Sequence, residues 1–231
     1  MGGLRIKTLS PAKGRTLFIG DVHGCAKELE KLLKAFKKKK RDRIIFVGDL
    51  INGGPKSTRV LEIARDLSAK SVLGNHEVRF LRARKAKNKS YLKRKDREAY
   101  ESLSKADWKW INAWPHLIHI PESKILVVHG GFDPAVKWRK QDEDMVTQIQ
   151  VITQKRKPAR RATVPRGAPW ADAWEGPEHV IYGHTPRPHP LLHAKATGLD
   201  TGCVYGYALS AISLPDHTIY RIPASRAYYD D

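Results

Sequence analysis

With 231 residues, 41% of them apolar, the chain is long enough to bury a core and too apolar to be disordered throughout. Lys and Arg number 43 against 24 Asp and Glu, a formal charge of +19, which leaves the fold open but favours anionic partners such as nucleotide, polyphosphate or nucleic acid. Two cysteines do not read as a secreted disulfide framework, no run approaches the roughly 20 apolar residues of a membrane span, and the first fifteen residues lack a signal peptide's apolar core, so a cytoplasmic protein without membrane association is expected.

Residues 16–20 form an apolar run ending in glycine and predict a buried strand. Leu29, Leu32, Leu33 and Phe36 then recur at helical spacing over 25–36, and four lysines (37–40) follow at the end that favours positive charge. Residues 43–47 predict a second strand, Pro55 opens a second helix with Val60, Leu61 and Ala64 inward, and 71–73 a third strand. This alternation predicts a largely parallel sheet covered by helices, with ligand sites at the strands' carboxyl ends. From Glu77 the spacing predicts a helical, strongly basic segment reaching Arg97, in which Asp96 is the lone counter-charge after Arg79. Trp108, Trp110, Ile111 and Trp114 mark a short packed helix. Residues 117–120 and 125–128 predict paired strands, 155–169 a loop, 180–182 a strand, and 207–214 with 218–222 a terminal hairpin. No repeat or linker interrupts this order, so a single domain over 1–231 is expected.

Five polar clusters each follow an apolar run: Gly20-Asp21-Val22-His23-Gly24, Gly48-Asp49, Gly74-Asn75-His76-Glu77, His129-Gly130-Gly131 and Gly183-His184. One Asp-x-His alone is more often a turn than a ligand. Five such clusters at strand ends deliver imidazole, carboxylate and amide oxygen to one sheet edge, a donor set that suits borderline to hard divalent ions. A carboxylate can bridge two ions about 3.5–4 Å apart, and such a pair clamps both oxygens of a phosphoryl transfer while activating water as hydroxide. Clustered cysteines, which iron–sulfur or structural zinc sites need, are missing.

These motifs resemble the calcineurin-like metallophosphoesterases, within them the phosphoprotein-phosphatase branch. Asp49-Leu-Ile-Asn-Gly-Gly-Pro-Lys-Ser57, Gly183-His-Thr-Pro186 and Leu199-Asp-Thr-Gly-Cys-Val-Tyr-Gly206 are more similar to the symmetrical diadenosine tetraphosphatases and their ApaH-like relatives than to eukaryotic protein phosphatases. The resemblance implies a four-layer α/β/β/α sandwich of two mixed sheets. It implies two divalent metal ions, Mn²⁺ first with Fe, Zn, Co or Ni as further candidates. Asp21 and His23 would bind the first, Asp49 would bridge, and Asn75, His129 and His184 would bind the second. His76 would protonate the leaving oxygen, oriented by Asn52, which stands where the protein phosphatases carry a carboxylate. The implied activity is hydrolysis of dinucleoside polyphosphates of the symmetrical diadenosine tetraphosphatase kind, which would give ADP alone. The alternatives are a Ser/Thr or Tyr protein phosphatase, an RNA-cap or polyphosphate hydrolase, or a non-catalytic polyanion-binding protein on the same fold, and the basic stretches leave RNA and polyphosphate as further candidate partners.

The main departure from the family pattern is Gly53, where relatives place an arginine that grips the substrate phosphate. Arg79, Arg82, Lys56 and Arg187 are the candidate substitutes, and Gly53→Arg is expected to restore the grip. Asp200 and Gly202 are expected to shape a turn, and Cys25 to be a small packed residue.

Overall fold

The computed structural model describes residues 3–229. The elements in chain order are β1 (Ile6–Thr8), β2 (Thr16–Ile19), α1 (Ala26–Phe36), β3 (Arg43–Phe46), α2 (Ser57–Asp66), β4 (Lys70–Ser71), α3 (Asn75–Lys85), α4 (Arg97–Ser102), α5 (Lys105–Asn112), β5 (Leu117–Ile120), β6 (Ile125–Val128), β7 (Val151–Ile152), β8 (Pro158–Ala159), β9 (Ala168–Pro169), β10 (His179–Tyr182), β11 (Leu191–His193), β12 (Ala196–Gly198), β13 (Ala208–Leu214) and β14 (Thr218–Pro223). Two mixed sheets dominate. One runs β14-β13-β2-β3-β4, with β2, β3 and β4 parallel, and the other runs β1-β5-β6-β10-β12-β11.

Strand periodicity decides the layering. In β2, Leu17 and Ile19 point one way and Phe18 the other, and all three are fully buried. Leu17, Ile19, Ile44 and Phe46 pack on Leu29, Leu32 and Phe36 of α1, Val60 and Leu61 of α2, Phe80 of α3 and Trp108 and Ile111 of α5. Phe18, Ile45 and Val47 face the second sheet, where Ile118, Ile120, Ile125, Val127 and Ile181 meet them. Strands buried on both faces read as unbroken apolar runs, which is why these were conspicuous in the sequence. The far face of the six-stranded sheet buries Leu117, Leu126, Val128, Val180 and Tyr182. There the fourth layer is thin: Phe132, Trp138, Trp170 and Trp174 cover the sheet from short 3-10 turns and the small sheet β8-β7-β9 rather than from α-helices.

Several local expectations shift. The third strand is paired only over Lys70–Ser71, with Val72 N–H reaching Phe46 O at 3.3 Å. The basic segment is not one helix: α3 stops at Lys85, Lys87 turns left-handed (φ 50°), and 3-10 turns at Lys89–Tyr91 and Arg94–Asp96 lead into α4. Residues 155–169 contribute β8 and β9 instead of a bare loop. The paired strands at 117–128 and the terminal hairpin form as expected, both antiparallel. Among the described residues no helix is long and apolar enough to cross a membrane.

Candidate metal centre

All five clusters lie where their strands end: Asp21 after β2, Asp49 after β3, Asn75 after β4, His129 after β6 and His184 after β10. Close packing of backbone makes room for them. A Cβ on Gly74 would fall 2.0 Å from Asp49 Oδ1, so only glycine fits between β4 and that carboxylate. His23, Asp49, Asn52 and His184 all adopt left-handed backbone (φ 48°, 50°, 71° and 65°), a concentration of strain typical of sites whose side chains are aimed for chemistry.

Asp49 is the hub. Its Oδ2 lies 3.4 Å from His23 Nε2, 3.2 Å from His129 Nε2 and 4.0 Å from His76 Nε2, and its Oδ1 accepts the His76 backbone N–H at 3.0 Å. Two sets of ligand atoms crowd around it, one from His23, Asp49 and His76 and the other from Asp49, His129 and His184, each within 4.8 Å of one another. Asn75 Oδ1 stands 2.9 Å from His129 Nε2. Asp21 accepts the His184 N–H at 3.1 Å, and His184 Nε2 lies 3.1 Å from Gln148 O.

The protonation pattern tests whether these residues suit cations. His129 Nδ1 faces Val47 O at 2.9 Å, while Nε2 faces the oxygens of Asn75 and Asp49. Three acceptors surround two ring nitrogens, so among protein groups alone the ring must carry both protons. Burial opposes that charge, but Asp49, then Asp21, outweigh it and push the pKa up to about 10. Asp49 is held well below the usual carboxylate range, because His129, His76 and His23 together overcome its burial. Asp21 is driven well above that range by burial and by Asp200 and Asp49. A cluster that pushes a buried imidazole towards its charged form and a buried carboxyl towards its neutral one is short of positive charge, which divalent cations would supply. The donor set fits such ions.

Around His76 the structure adds what the sequence did not reveal. Asn52 Nδ2 lies 2.8 Å from His76 Nδ1 and also donates to Asp96 Oδ1 at 2.8 Å. Turning the amide over would put its oxygen against the Asp96 carboxylate, so nitrogen faces both partners. Asp96 is fully buried and pairs with Arg79, Nε to Oδ2 at 2.9 Å, while another Arg79 nitrogen lies 3.2 Å from His76 Nδ1. His76 Nδ1 therefore accepts, and its remaining proton sits on Nε2, the nitrogen turned towards Asp49. Burial, with help from His23 and Arg79, lowers the His76 pKa well below its ordinary value, against the pull of Asp49, and keeps the ring neutral. Asp96 thus holds Asn52 and Arg79 against His76, and the ring nitrogen that a carboxylate at position 52 would accept from instead faces two nitrogens.

Glu77, also fully buried, accepts backbone N–H groups from Asp49, Leu50 and Gly74 at 2.9–3.0 Å and so fixes the Asp49 loop to the start of α3. Asp200 shapes a turn as expected, accepting the Gly202 N–H at 3.0 Å, but burial also raises its pKa beside the cluster. Cys25 and Cys203 are free and buried.

The four cations proposed to replace the missing arginine fare differently. Arg79 stands beside His76. Arg82 is turned away, paired with Asp144 in a cleft with Arg5 and Trp108, which removes it from the site. Lys56 is exposed just before α2, and Arg187 is half-buried, tied by its backbone N–H to Asp200 O at 3.1 Å. Position 53 strains any side chain: Gly53 has φ 90°, and a Cβ there would lie 3.1 Å from Val204 Cγ2, which would have to shift, and 3.7 Å from the Tyr229 ring. Gly53→Arg would therefore place its guanidinium only at the cost of that strain.

The family model described as calcineurin-like phosphoesterase matches residues 14–210. The bis(5'-nucleosyl)-tetraphosphatase PrpE [asymmetrical] of Halalkalibacterium halodurans is 31% identical over 237 residues, covering 89% of this chain and 92% of its own. A symmetrical bis(5'-nucleosyl)-tetraphosphatase of Psychromonas ingrahamii is 33% identical over 148 residues, 60% of this chain and 51% of its own. The crystal structure of a candidate diadenosine tetraphosphatase superposes with a TM-score of 0.86 at 35% identity, covering 96% of this chain and 98% of that one.

Proposed function

Because the chain belongs to the calcineurin-like phosphoesterase family, we propose that it hydrolyses dinucleoside tetraphosphates, with Asp21, His23, Asp49, Asn75, His129 and His184 holding two divalent cations. It is a metal-dependent hydrolase of phosphate esters or anhydrides. The observation that carries the assignment of these residues is the single buried carboxylate of Asp49, faced by His23 on one side and His129 on the other at 3.4 and 3.2 Å. Ions held there would supply Lewis acidity to the phosphoryl oxygens and activate water. Asp49 would hold both, Asp21 and His23 one, and Asn75, His129 and His184 the other. His129 is aimed by its Nδ1 contact to Val47 O, which leaves Nε2 for coordination. His76, neutral with its proton on Nε2, would donate that N–H as a hydrogen bond to the leaving oxygen and stabilise the charge that develops there, and Asn52, Arg79 and Asp96 hold the ring in place for it.

Mixed nitrogen and oxygen donors without thiolate make Mn²⁺ the first ion to supply, with Fe, Zn, Co and Ni to compare. A reducing cytoplasm is the expected compartment for two free cysteines. What supports a dinucleoside substrate is likeness at full length to relatives so named. Coverage also bears on where the chain cuts: the asymmetrical relative is matched over 92% of its length and the symmetrical one over 51%, which favours a nucleoside triphosphate and a monophosphate as products. Purified protein with Mn²⁺ is to be given diadenosine tetraphosphate, a phosphopeptide, capped RNA, polyphosphate and p-nitrophenyl phosphate side by side. Turnover of diadenosine tetraphosphate to ATP and AMP is the expected result, and ADP alone would mark the symmetric split. Exclusive turnover of the phosphopeptide would overturn the reading.

A further inference from the structure

A further group of metal-ligating side chains lies apart from Asp49. The chain's two cysteines, far apart in sequence, come together with Glu28: all three residues are buried, and one ligand atom from each of Cys25, Glu28 and Cys203 lies within 4.8 Å of the other two. We propose that they form a separate site for a single thiophilic divalent cation, Zn²⁺ in kind, held by two thiolates and one carboxylate oxygen. The site shares no side chain with the dinuclear cluster and does not rest on the hydrolase reading above.

The carboxylate is the informative member. Glu28 Oε1 accepts from the Ser225 N–H and hydroxyl, both at 2.9 Å, and from the Tyr228 hydroxyl at 3.0 Å. Oε2 is also buried and has no hydrogen-bond partner. Leaving a buried polar atom unpaired costs about 1–3 kcal/mol, and more for a charged group. Burial works against the charge of Glu28, but the hydrogen bonds from Ser225 and Tyr228 outweigh it and hold the carboxyl below its ordinary range, so the bare oxygen belongs to an ionised group. One oxygen fixed by three donors and the other left open, in company with two sulfurs, is how an outer ring of hydrogen bonds orients a metal ligand.

Local structure delivers the three groups. Cys25 stands immediately before α1, where its side chain makes no capping bond, and Glu28, three residues on, returns to the same side of the first turn. Cys203 opens the 3-10 turn Cys203–Tyr205, just after Gly202 turns left-handed (φ 62°). Both cysteines are free. A hydrogen bond with Cys25, and then burial, push the Cys203 thiol up, so without an ion it keeps its proton. A divalent cation bound here takes both sulfurs as thiolates, and the two displaced protons go to solvent. Two sulfurs and an oxygen suit Zn²⁺ and not Mg²⁺. A way in exists: Gly54 and Tyr228 line a surface cleft of about 370 Å³, a Cβ on Gly54 would lie 3.2 Å from Cys25 Sγ, and Tyr228 is a donor to Glu28. The bound ion would pin the start of α1 to the Cys203 turn and to the tail at Ser225–Tyr228.

The test is titration of the chelator-stripped full chain with Co²⁺, under a phosphine reductant, followed by absorption. The dinuclear cluster offers nitrogen and oxygen donors, and Cys25 and Cys203 are the chain's two cysteines, so a thiolate-to-cobalt charge-transfer band reports this site alone. The band is expected in the wild type, is expected to persist in Asp49→Asn, and is expected to be displaced by Zn²⁺. Cys203→Ala should abolish it. Glu28→Gln keeps an oxygen for Ser225 and Tyr228 and so spares the fold, as circular dichroism will show, yet should weaken Co²⁺ at this band at least tenfold. No charge-transfer band in the wild type at saturating Co²⁺, a band retained by Cys203→Ala, or unchanged affinity in Glu28→Gln overturns the proposal.

Discussion

Replacing Asn52 by aspartate restores, on paper, the carboxylate that protein phosphatases place beside their histidine, and the structure predicts that it damages this protein. Asn52 Nδ2 donates to Asp96 Oδ1 across 2.8 Å, and both residues are fully buried. Asn52→Asp sets an acceptor against an acceptor there. At an effective dielectric near 20, two unit charges at that separation repel by about 6 kcal/mol. Arg79 stays paired with Asp96 and offsets a share, and uptake of a proton caps the remainder, so a loss of about 3 kcal/mol of stability at pH 7 is expected, the scale for upsetting a buried charged network. Urea unfolding of the four corners of a cycle (wild type, Asn52→Asp, Asp96→Asn and the double variant) measures it. The double variant exchanges amide and carboxylate while keeping the net charge, so it should recover most of the stability and of kcat that either single change loses. Stability and kcat of Asn52→Asp equal to wild type, or a double variant no better than the sum of its parts, would refute the relay from Asp96 through Asn52 to His76.

Gly53→Arg forces a side chain into left-handed backbone and against Val204, so it should destabilise the chain by about 1–2 kcal/mol without lowering KM for any phosphate substrate, as thermal melts and steady-state kinetics will report. Asp49→Asn removes the charge shared by both halves of the cluster, and turnover should fall by on the order of a thousandfold while circular dichroism stays native; near-full activity would exclude a bridging role. Asp42 tests acid stability away from the site. Its burial works against the charge, but hydrogen bonds from the Arg15 side chain and from Lys39 and Arg15 N–H pull its pKa down to about 2. A depressed carboxyl stabilises the fold above its unfolded pKa and loses that effect as pH falls through the folded one. About 2 kcal/mol should therefore be present above pH ~4 and vanish towards pH ~2, and Asp42→Asn should flatten that part of the urea-midpoint profile.

The metal-ligand candidates were legible because each follows an apolar strand within a few residues, so local pattern alone set them at the carboxyl end of a sheet. Asp96 was not legible in that way. It reaches His76 only because two 3-10 turns after α3 fold it back, and nothing local predicts that path. The available signal was its solitude, one acid within a run of basic residues, since a lone charge of that kind is where a buried partner is needed. Glu77 could have been read from its place three residues into a helix after Gly74, where a carboxylate caps backbone N–H groups. Arg82 was misjudged by counting nearness along the chain: Arg79, three residues after His76, returns to its side of the helix, and Arg82, six after, does not. The thin fourth layer escaped because Trp138, Trp170 and Trp174 sit in irregular turns that carry no periodicity.

The account stands or falls on two cations sharing Asp49. Anomalous difference maps from crystals of Mn²⁺-loaded protein measure this directly. The predicted result is a pair of peaks about 3.5–4 Å apart, both touching the Asp49 carboxylate, one beside His23 and the other beside His129 and His184. One peak remote from Asp49, or none at saturating Mn²⁺, would contradict it.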